Sequence, residues 1–288
     1  MFGAFWIGWA GLWLSATLHA QERSFSFPLP ENDYQRYLGY TAGRDPLDLD
    51  RLPRQGLNRH LMELLVFQNA LVLGGCRCQI RFQPYATQTT NARTLIDLQQ
   101  GRLLASPVAG FRSDSRVVGD VHVSDAVLED DAFKVGVYTH VSRADVLAIR
   151  DPAAVRQLTF VVVESWEVDL RVLTERKLRH VKAVNWSSAL RMLEAGRADA
   201  ILQPFSNRAD MSFDEPSLGL QFKPIPGMKM NFGHGRYYFV SRHHPEGEWF
   251  VERLNAGLRR LKADGRLQAL RVASGVEDVR LKDFVEIP

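Results

Sequence analysis

Cysteine is scarce in this chain. Its 288 residues hold two, Cys76 and Cys78. One residue between them makes a mutual disulfide hard to close, because the Cα separation and the rotation about S–S are both restricted. The sequence therefore reads them as two partly buried thiols. A Cys-x-x-Cys redox spacing is missing, and two thiolates without a third clustered ligand do not make a metal site. An excess of one charge is also missing. The formal charge is +3 and Lys and Arg are scattered. With no basic tract and no aromatic-plus-basic motif, a nucleic-acid partner is not expected. No Ser-His-Asp, Cys-His or metal motif occurs, and no cofactor is expected. His243 and His244 precede Pro245 and read as a solvated turn. His234 lies between two glycines near Met228 and Met230. A copper site there is weaker than a plain loop with incidental sulfur.

Long apolar runs are missing too, except at the start. Residues 1–20, MFGAFWIGWAGLWLSATLHA, contain no acid, Lys or Arg. The apolar stretch suits a signal-peptide core, and Ala20 is a small residue suited to cleavage before Gln21. An uncleaved anchor is the alternative, since the segment approaches spanning length. Either way the body of the protein is expected outside the cytoplasmic membrane, in the periplasm.

What the sequence does contain is an α/β pattern. Hydrophobic residues make up 45% and charged residues 24%, as in a soluble globular protein. The organising stretch is Asn185 to Leu202, NWSSALRMLEAGRADAIL. Trp186, Ala189, Leu190 and Leu193 share one helical face. Asn185 supplies an N-cap, Gly196 a left-handed stop, and Ala200 to Leu202 a buried strand. Leu95, Leu98, Gly101, Arg102 and Ala105 repeat Leu190, Leu193, Gly196, Arg197 and Ala200 at a constant offset. Two copies suggest two similar α/β lobes rather than a solenoid.

The pattern predicts strands at 24–28, 78–82, 103–106, 133–138, 158–163, 180–184, 222–225 and 236–241. It predicts helices at 57–73, 91–100, 166–176, 246–263 and 266–272, with a short one from Asp151-Pro152. Residues 31–54 read as loop with at most a short turn of helix, and 274–288 as a surface tail. Alternating strands and helices imply two lobes with mainly parallel sheets, a central cleft between them, and a ligand beyond the carboxyl ends of the strands.

ALRMLEAGRADAIL, LNAGLRRLKADGRLQAL, DPAAVRQLTFVVV and the segment from Gly101 to Arg116 carry a further signal. Through them most of the mature chain resembles the periplasmic solute-binding proteins of ABC transporters, family 3, the polar amino acid type with a periplasmic binding protein-like II fold. The resemblance implies two lobes joined by a two-strand hinge, with crossings near Tyr138 to Ile149 and near Gly227 to Arg236. Lobe 1 would comprise 21–140 and 232–288, and lobe 2 would comprise 141–231. It also implies closure over one small-molecule solute, a membrane permease or sensor as partner, and a monomer.

The family's Thr-x-x-Arg element matches Ser113 and Arg116 here. The resemblance makes Arg116 the clamp for a ligand carboxylate, through the planar guanidinium fork, with Arg112 as competitor. Aromatic walls are expected from Phe27, Phe111, Trp166 and Phe205, with Phe25 also near a strand end. Ser165 and Gln203 complete the expected site. Three departures matter. Gln203-Pro204 stands where the family commonly has an acid for an α-ammonium, and a Gln cannot neutralise a buried ammonium. Glu164, Glu167 and Asp169 follow the strand where the family often has Gly-Thr, and would repel a carboxylate or attract a cation. The first strand lacks the family's Pro-Phe pattern, and its first helix lacks an acid-rich start. The expected function is non-catalytic solute binding. The alternatives are a cyclic-precursor dehydratase-like enzyme using Glu164 or Glu167, and a degenerate protein-interaction module.

Overall fold

The computed structural model describes residues 23–85, 91–114 and 120–287. The expected signal segment 1–20 and Arg116 lie outside the described residues.

The chain enters on β1 (Arg23–Leu29) and continues through α1 (Glu31–Thr41), a 3-10 turn at Leu49–Arg51, α2 (Arg59–Leu73), β2 (Cys78–Pro84) and α3 (Asn91–Gln99). Next come β3 (Gly110–Phe111), β4 (Val121–Leu128) and β5 (Lys134–His140). The middle of the chain forms α4 (Ala144–Leu147), α5 (Pro152–Val155), β6 (Thr159–Val163), α6 (Glu167–Glu175), β7 (Arg179–Ala183), α7 (Trp186–Glu194), β8 (Ile201–Pro204), β9 (Phe213–Glu215), β10 (Leu220–Pro224) and β11 (Met228–Asn231). The last part is β12 (Arg236–Ser241), α8 (Gly247–Ala263), α9 (Arg266–Ala273), a 3-10 turn at Val279–Asp283 and β13 (Val285–Glu286).

Lobe 1 is built around α2. Eight of its apolar side chains, from Leu61 to Leu71, are buried, as expected for a helix surrounded on all sides. It packs on α8, whose predicted stripe of Phe250, Leu254, Leu258 and Leu261 is buried. Phe27, Phe67, Tyr238 and Phe250 form edge-on and tilted ring contacts at the centre. Strand β1 pairs with β2 in parallel, and β12 lies antiparallel between β3 and β4.

Lobe 2 is built around β5, which pairs antiparallel with β8, β10 and β11. Beside it β6 and β7 run parallel, with a further parallel bridge from Phe160 to Ala200. Parallel pairing thus holds at β1–β2 and β6–β7. Strands near the lobe junction pair antiparallel, because the chain crosses over and comes back alongside itself.

The repeated unit has the same local geometry in both lobes. Gly101 and Gly196 adopt φ of 69° and 66°, a left-handed conformation in which a Cβ is strained. In each, the Gly N–H donates to the carbonyl of Leu98 or Leu193, and the following Arg N–H to that of Asp97 or Met192. These are Schellman stops. Ala105 then bridges to Val240 in lobe 1, and Ala200 to Phe160 in lobe 2. Asn185 caps α7 by accepting from Ser188 N at 2.8 Å.

The lobes are joined by 129–133 and 232–235, which run side by side. Phe232 N donates to Phe133 O at 2.9 Å and Gly235 N to Asp130 Oδ1 at 2.8 Å. A Cβ on Gly235 would lie 2.5 Å from the Leu128 carbonyl oxygen, so glycine lets the two crossings touch. The first crossing therefore precedes β5 instead of following Tyr138. All β5 partners come from 201–231, which moves 134–140 into lobe 2 and displaces the expected boundary at 140.

Other expectations are corrected. Residues 31–41 form a three-turn helix where loop with at most a short helical turn is expected; Tyr37 and Thr41 are its only buried residues, too few to show a stripe. Residues 103–106 make a single bridge, because Pro107 stops the pairing. The bulged β4 was not expected, since two register shifts against β12 break the alternation. The four-residue β11 is too short to carry a readable alternation in the sequence. Cys76 and Cys78 form a disulfide with Cα atoms 5.2 Å apart. That separation, set by the backbone of the single intervening residue Arg77, lies within the range a disulfide spans.

The expected surface tail is docked instead. Val276, Leu281 and Ile287 are buried. Strand β13 pairs with β11 of lobe 2, and Leu281 packs among Phe205, Met211 and Phe284. The tail thus makes a third link between lobes, since α9 belongs to lobe 1. Leu281→Ala is expected to cost about 2–4 kcal/mol in urea unfolding; a loss below ~0.5 kcal/mol, typical of a surface site, would contradict this docking.

Candidate binding cleft

A cavity of 250 Å³ lies between the lobes and is lined from both. It sits beyond the carboxyl ends of β1, β6 and β8, where Leu29, Ser165 and Pro204 reach it, in keeping with the general rule for α/β sheets. Lobe 1 contributes the 105–111 segment, Arg59 of α2 and Arg236 of β12. Lobe 2 contributes Ser165 to Asp169 and Leu202 to Pro204. Phe133 and Phe232 of the two crossings also line it.

The lobe 1 wall is fixed by one buried carboxylate. Glu63 is fully buried in the apolar α2. Arg59, one turn earlier, donates from Nη1 to both its oxygens at 3.0 and 3.1 Å. Arg236 donates from Nε at 2.9 Å and from Nη2 at 3.3 Å. Ala109 N adds a bond at 3.2 Å, while Arg236 donates back to the Ala109 carbonyl. Burial by itself would raise the Glu63 carboxyl, but Arg236 and Arg59 outweigh it and hold the group below its ordinary value. The Arg236 guanidinium also stacks 4.6 Å from the Phe111 ring centre. His60 continues the polar network beside Arg59, with Nδ1 3.2 Å from Asp33 Oδ1.

Across the cavity, Asp169 sits in the first turn of α6. Burial pushes its carboxyl up to about 6, against the opposing pull of Arg236 and Arg59. Aromatic walls stand at both ends. Phe111 stacks on Phe232 at 5.2 Å, and Trp166 stacks on Trp186 at 5.9 Å. Three sets of contacts bridge the lobes. Arg36 of α1 meets Glu215 of β9 at 3.0 Å. Arg171 of α6 donates to the Ser113 carbonyl at 2.6 Å. Asn207 donates to the carbonyls of Arg54 and Ala273.

Of the residues picked from sequence, Phe111, Ser165, Trp166 and Gln203 line this cavity together. Ser113 lies at the lobe junction, its hydroxyl 3.1 Å from His234 Nδ1, but is not part of the lining. Phe27 belongs to the lobe 1 core with Phe67 and Phe250, and so does Phe25. Phe205 is buried under the C-terminal tail. Arg112 stacks on Tyr237. Glu164 is exposed outside the cavity, whereas Glu167 lines it. Among the described residues, no group of three His, Cys, Asp or Glu converges as a metal site, and no helix is long and apolar enough to cross a membrane.

Sequence reasoning missed Arg59, Glu63 and Arg236. The signal was a lone acid inside HLMELLVFQNALVL, since a charge in an all-apolar helix must be paired. Glu63→Ala leaves two guanidiniums without their counter-ion. It should cost about 3–5 kcal/mol in urea unfolding, and a cost under ~1 kcal/mol would remove the triad as a keystone. Asp169 has the opposite sign. Its folded pKa lies above the ordinary carboxyl value, so ionised Asp169 destabilises the fold above about pH 6, and protonation relieves this as pH falls toward 4. Because it keeps some exposure to the cavity, the effect is discounted to roughly 1–2 kcal/mol. Asp169→Asn should therefore stabilise at pH 7.5 with a gain that vanishes near pH 4; a loss of stability at pH 7.5 would contradict this.

No protein-family model matches the sequence, and no curated protein matches it. Solved structures do match the fold. One is an amino acid ABC transporter substrate-binding protein from Streptococcus pneumoniae bound to L-arginine. It shares 17% identity, with 74% of this chain and 82% of that one covered, at a TM-score of 0.52. Another is a probable amino-acid ABC transporter extracellular-binding protein from Bacillus subtilis. It shares 14% identity, covering 75% of this chain and 88% of that one, at a TM-score of 0.53. At these identities the likeness concerns architecture, and this chain has the two-lobed, periplasmic binding protein-like II fold of those substrate-binding proteins.

Proposed function

We propose that this protein is an exported, non-catalytic solute-binding protein that closes on a small polar solute and serves an ABC-type transporter or a membrane sensor. The observation that carries the reading is the cavity itself. It is lined from both lobes, at strand ends, with aromatic side chains and a few convergent charges, the composition of a small-molecule site. Its 250 Å³ lies just below the ~300–1,000 Å³ of sites for drug-sized ligands, so the solute is small. The paired crossings at 129–133 and 232–235 supply the hinge, and Arg36–Glu215 and Arg171–Ser113 supply contacts that closure makes and opening breaks. Arg116 keeps its proposed role as the carboxylate clamp. Residues 1–20 direct export.

One observation favours a second reading. A carboxyl at about 6 in a solute-sized cavity is suited to general acid–base work, so Asp169 would be the group of an enzyme on this fold.

A melting-temperature screen against small polar solutes separates the readings. Binding to the native form alone contributes about 2.7 kcal/mol at a hundredfold excess over Kd, which appears as a rise of several degrees. The bound solute should be recovered chemically unchanged; conversion would favour the enzyme. Arg116→Ala should remove the rise for a carboxylate solute while leaving the unliganded melting temperature unchanged. Unchanged affinity would take Arg116 out of the site.

A further inference from the structure

We propose that the C-terminal tail, residues 274–287, is a tether that limits how far the two lobes part, and that its short reach favours closure of the cleft. The tether acts with or without a solute; its effect on affinity rests on the solute-binding reading.

The tail is fastened at both ends. On lobe 1, Glu277 accepts from Nη1 of the buried Arg271 at 3.1 Å. The Nε of the same guanidinium donates to the Val127 carbonyl at 2.8 Å, just before the first crossing. On lobe 2, Arg280 donates to the carbonyls of Arg208 and Ala209 at 3.0 and 2.9 Å. Lys229 Nζ donates to the Leu281 carbonyl at 2.5 Å. Val285 N and Ile287 N each donate to β11 or the turn before it, at 2.8 Å. Between these fastenings the chain has little slack. Glu277 and Arg280 are three residues apart, and three residues reach at most about 11 Å.

The lobes also touch where the tail begins. Gly275 has φ of 79°. A Cβ there would lie 2.8 Å from the Phe205 carbonyl oxygen and from Asn207 N, so only glycine admits this approach of lobe 1 backbone to the lobe 2 loop. Asn207 donates across the same seam to the Ala273 carbonyl at 2.8 Å.

Two elements run from the cavity to the tail. Strand β8 ends at the cavity-lining Pro204 and leads straight into Phe205, on which Leu281 packs. Helix α6 starts at the cavity wall, and Arg176 at its far end donates to the carbonyls of Asn231 at 2.6 Å and Ile287 at 3.3 Å. Asn231 directly precedes the second crossing. One guanidinium therefore holds the tail to the root of the hinge. Two crossings lying side by side leave the lobes free to bend and twist. A third connection with no slack removes much of that freedom, and an open form confined in this way loses less freedom on closing.

The test lengthens the tether and keeps both of its fastenings. In the full chain a Gly-Ser linker of roughly six residues, adding up to ~20 Å of reach, is inserted between the partly exposed Glu277 and Asp278. Spin labels on Leu38→Cys and Val184→Cys, both exposed, report the lobe separation by electron spin resonance without any solute. The native cysteines are joined to each other and do not take the label. Leu38 of α1 and Val184 beside Trp186 flank the Arg36–Glu215 contact from opposite lobes. The expected result is a distance distribution that broadens and gains a population shifted outward by roughly 5–20 Å, within the added reach, with the urea-unfolding midpoint unchanged. The best solute from the melting-temperature screen should bind about three- to tenfold more weakly to the lengthened protein, as its closed-competent fraction falls. An unchanged distance distribution would overturn the proposal. So would an outward shift that comes with a large fall in the unfolding midpoint, since the tail would then be structural packing, and so would equal affinity in the two proteins. A screen without any hit would overturn the solute-binding reading and leave the tether to be decided by the label distances.

Discussion

Glu63 is the constraint on which the cleft depends. A carboxylate with no solvent access cannot stand alone inside an apolar helix, because desolvation costs several kcal/mol per ion. It is held by two guanidiniums from different elements, Arg59 on α2 and Arg236 on β12, and by the amide of Ala109. Those bonds decide where three parts of the chain meet. They lock the central helix of lobe 1 to the returning strand of the hinge and to the 105–111 segment that lines the cavity. The Tyr238 hydroxyl, donating to the Glu63 carbonyl, repeats the same link two residues along β12. A buried ion cluster of this kind contributes less to stability than to position. It makes one arrangement of the cleft wall far better than its neighbours.

From that wall the remaining parts follow. The guanidinium of Arg236 lies over Phe111, and Phe111 stacks on Phe232 of the second crossing. The hinge is thus continuous with the binding surface through packed rings. On the far side, Trp166 leans on Trp186, whose indole N–H donates to Glu215 at 3.0 Å. Glu215 also receives Arg36 from lobe 1. Each wall of the cavity is therefore connected, through a few side chains, to a contact that spans the lobes. The C-terminal tail adds a third tie by placing β13 beside β11.

Much of this was legible in the residues. The repeated Leu-x-x-Leu-x-x-Gly-Arg unit gave both Schellman stops correctly, because a helical stripe followed by a glycine leaves little choice. The apolar run of β6 and the stripe of α8 were equally plain. Less was legible where long-range pairing overrides local pattern. Bulges hid β4, and the tail looked polar because few of its residues are large and apolar, Val276, Leu281 and Ile287 among those that turn inward. Phe27 and Phe205 looked like cleft aromatics and are core; a ring near a strand end has both fates open to it. The charged wall was the hardest part, since Arg59 and Arg236 stand 177 positions apart in sequence order and only the fold brings them to one carboxylate. The acids at 164–169 were visible, but which of them faces the cavity depends on how α6 sits on β6.

The most direct measurement is a crystal structure of the full chain with the tightest-binding solute. The account predicts density for that solute in the cavity between the lobes, in contact with the first turn of α6 on one side and with Phe111 or Arg59 on the other. A solute held elsewhere, or touching one lobe only while the cavity is filled by the protein's own side chains, would contradict it.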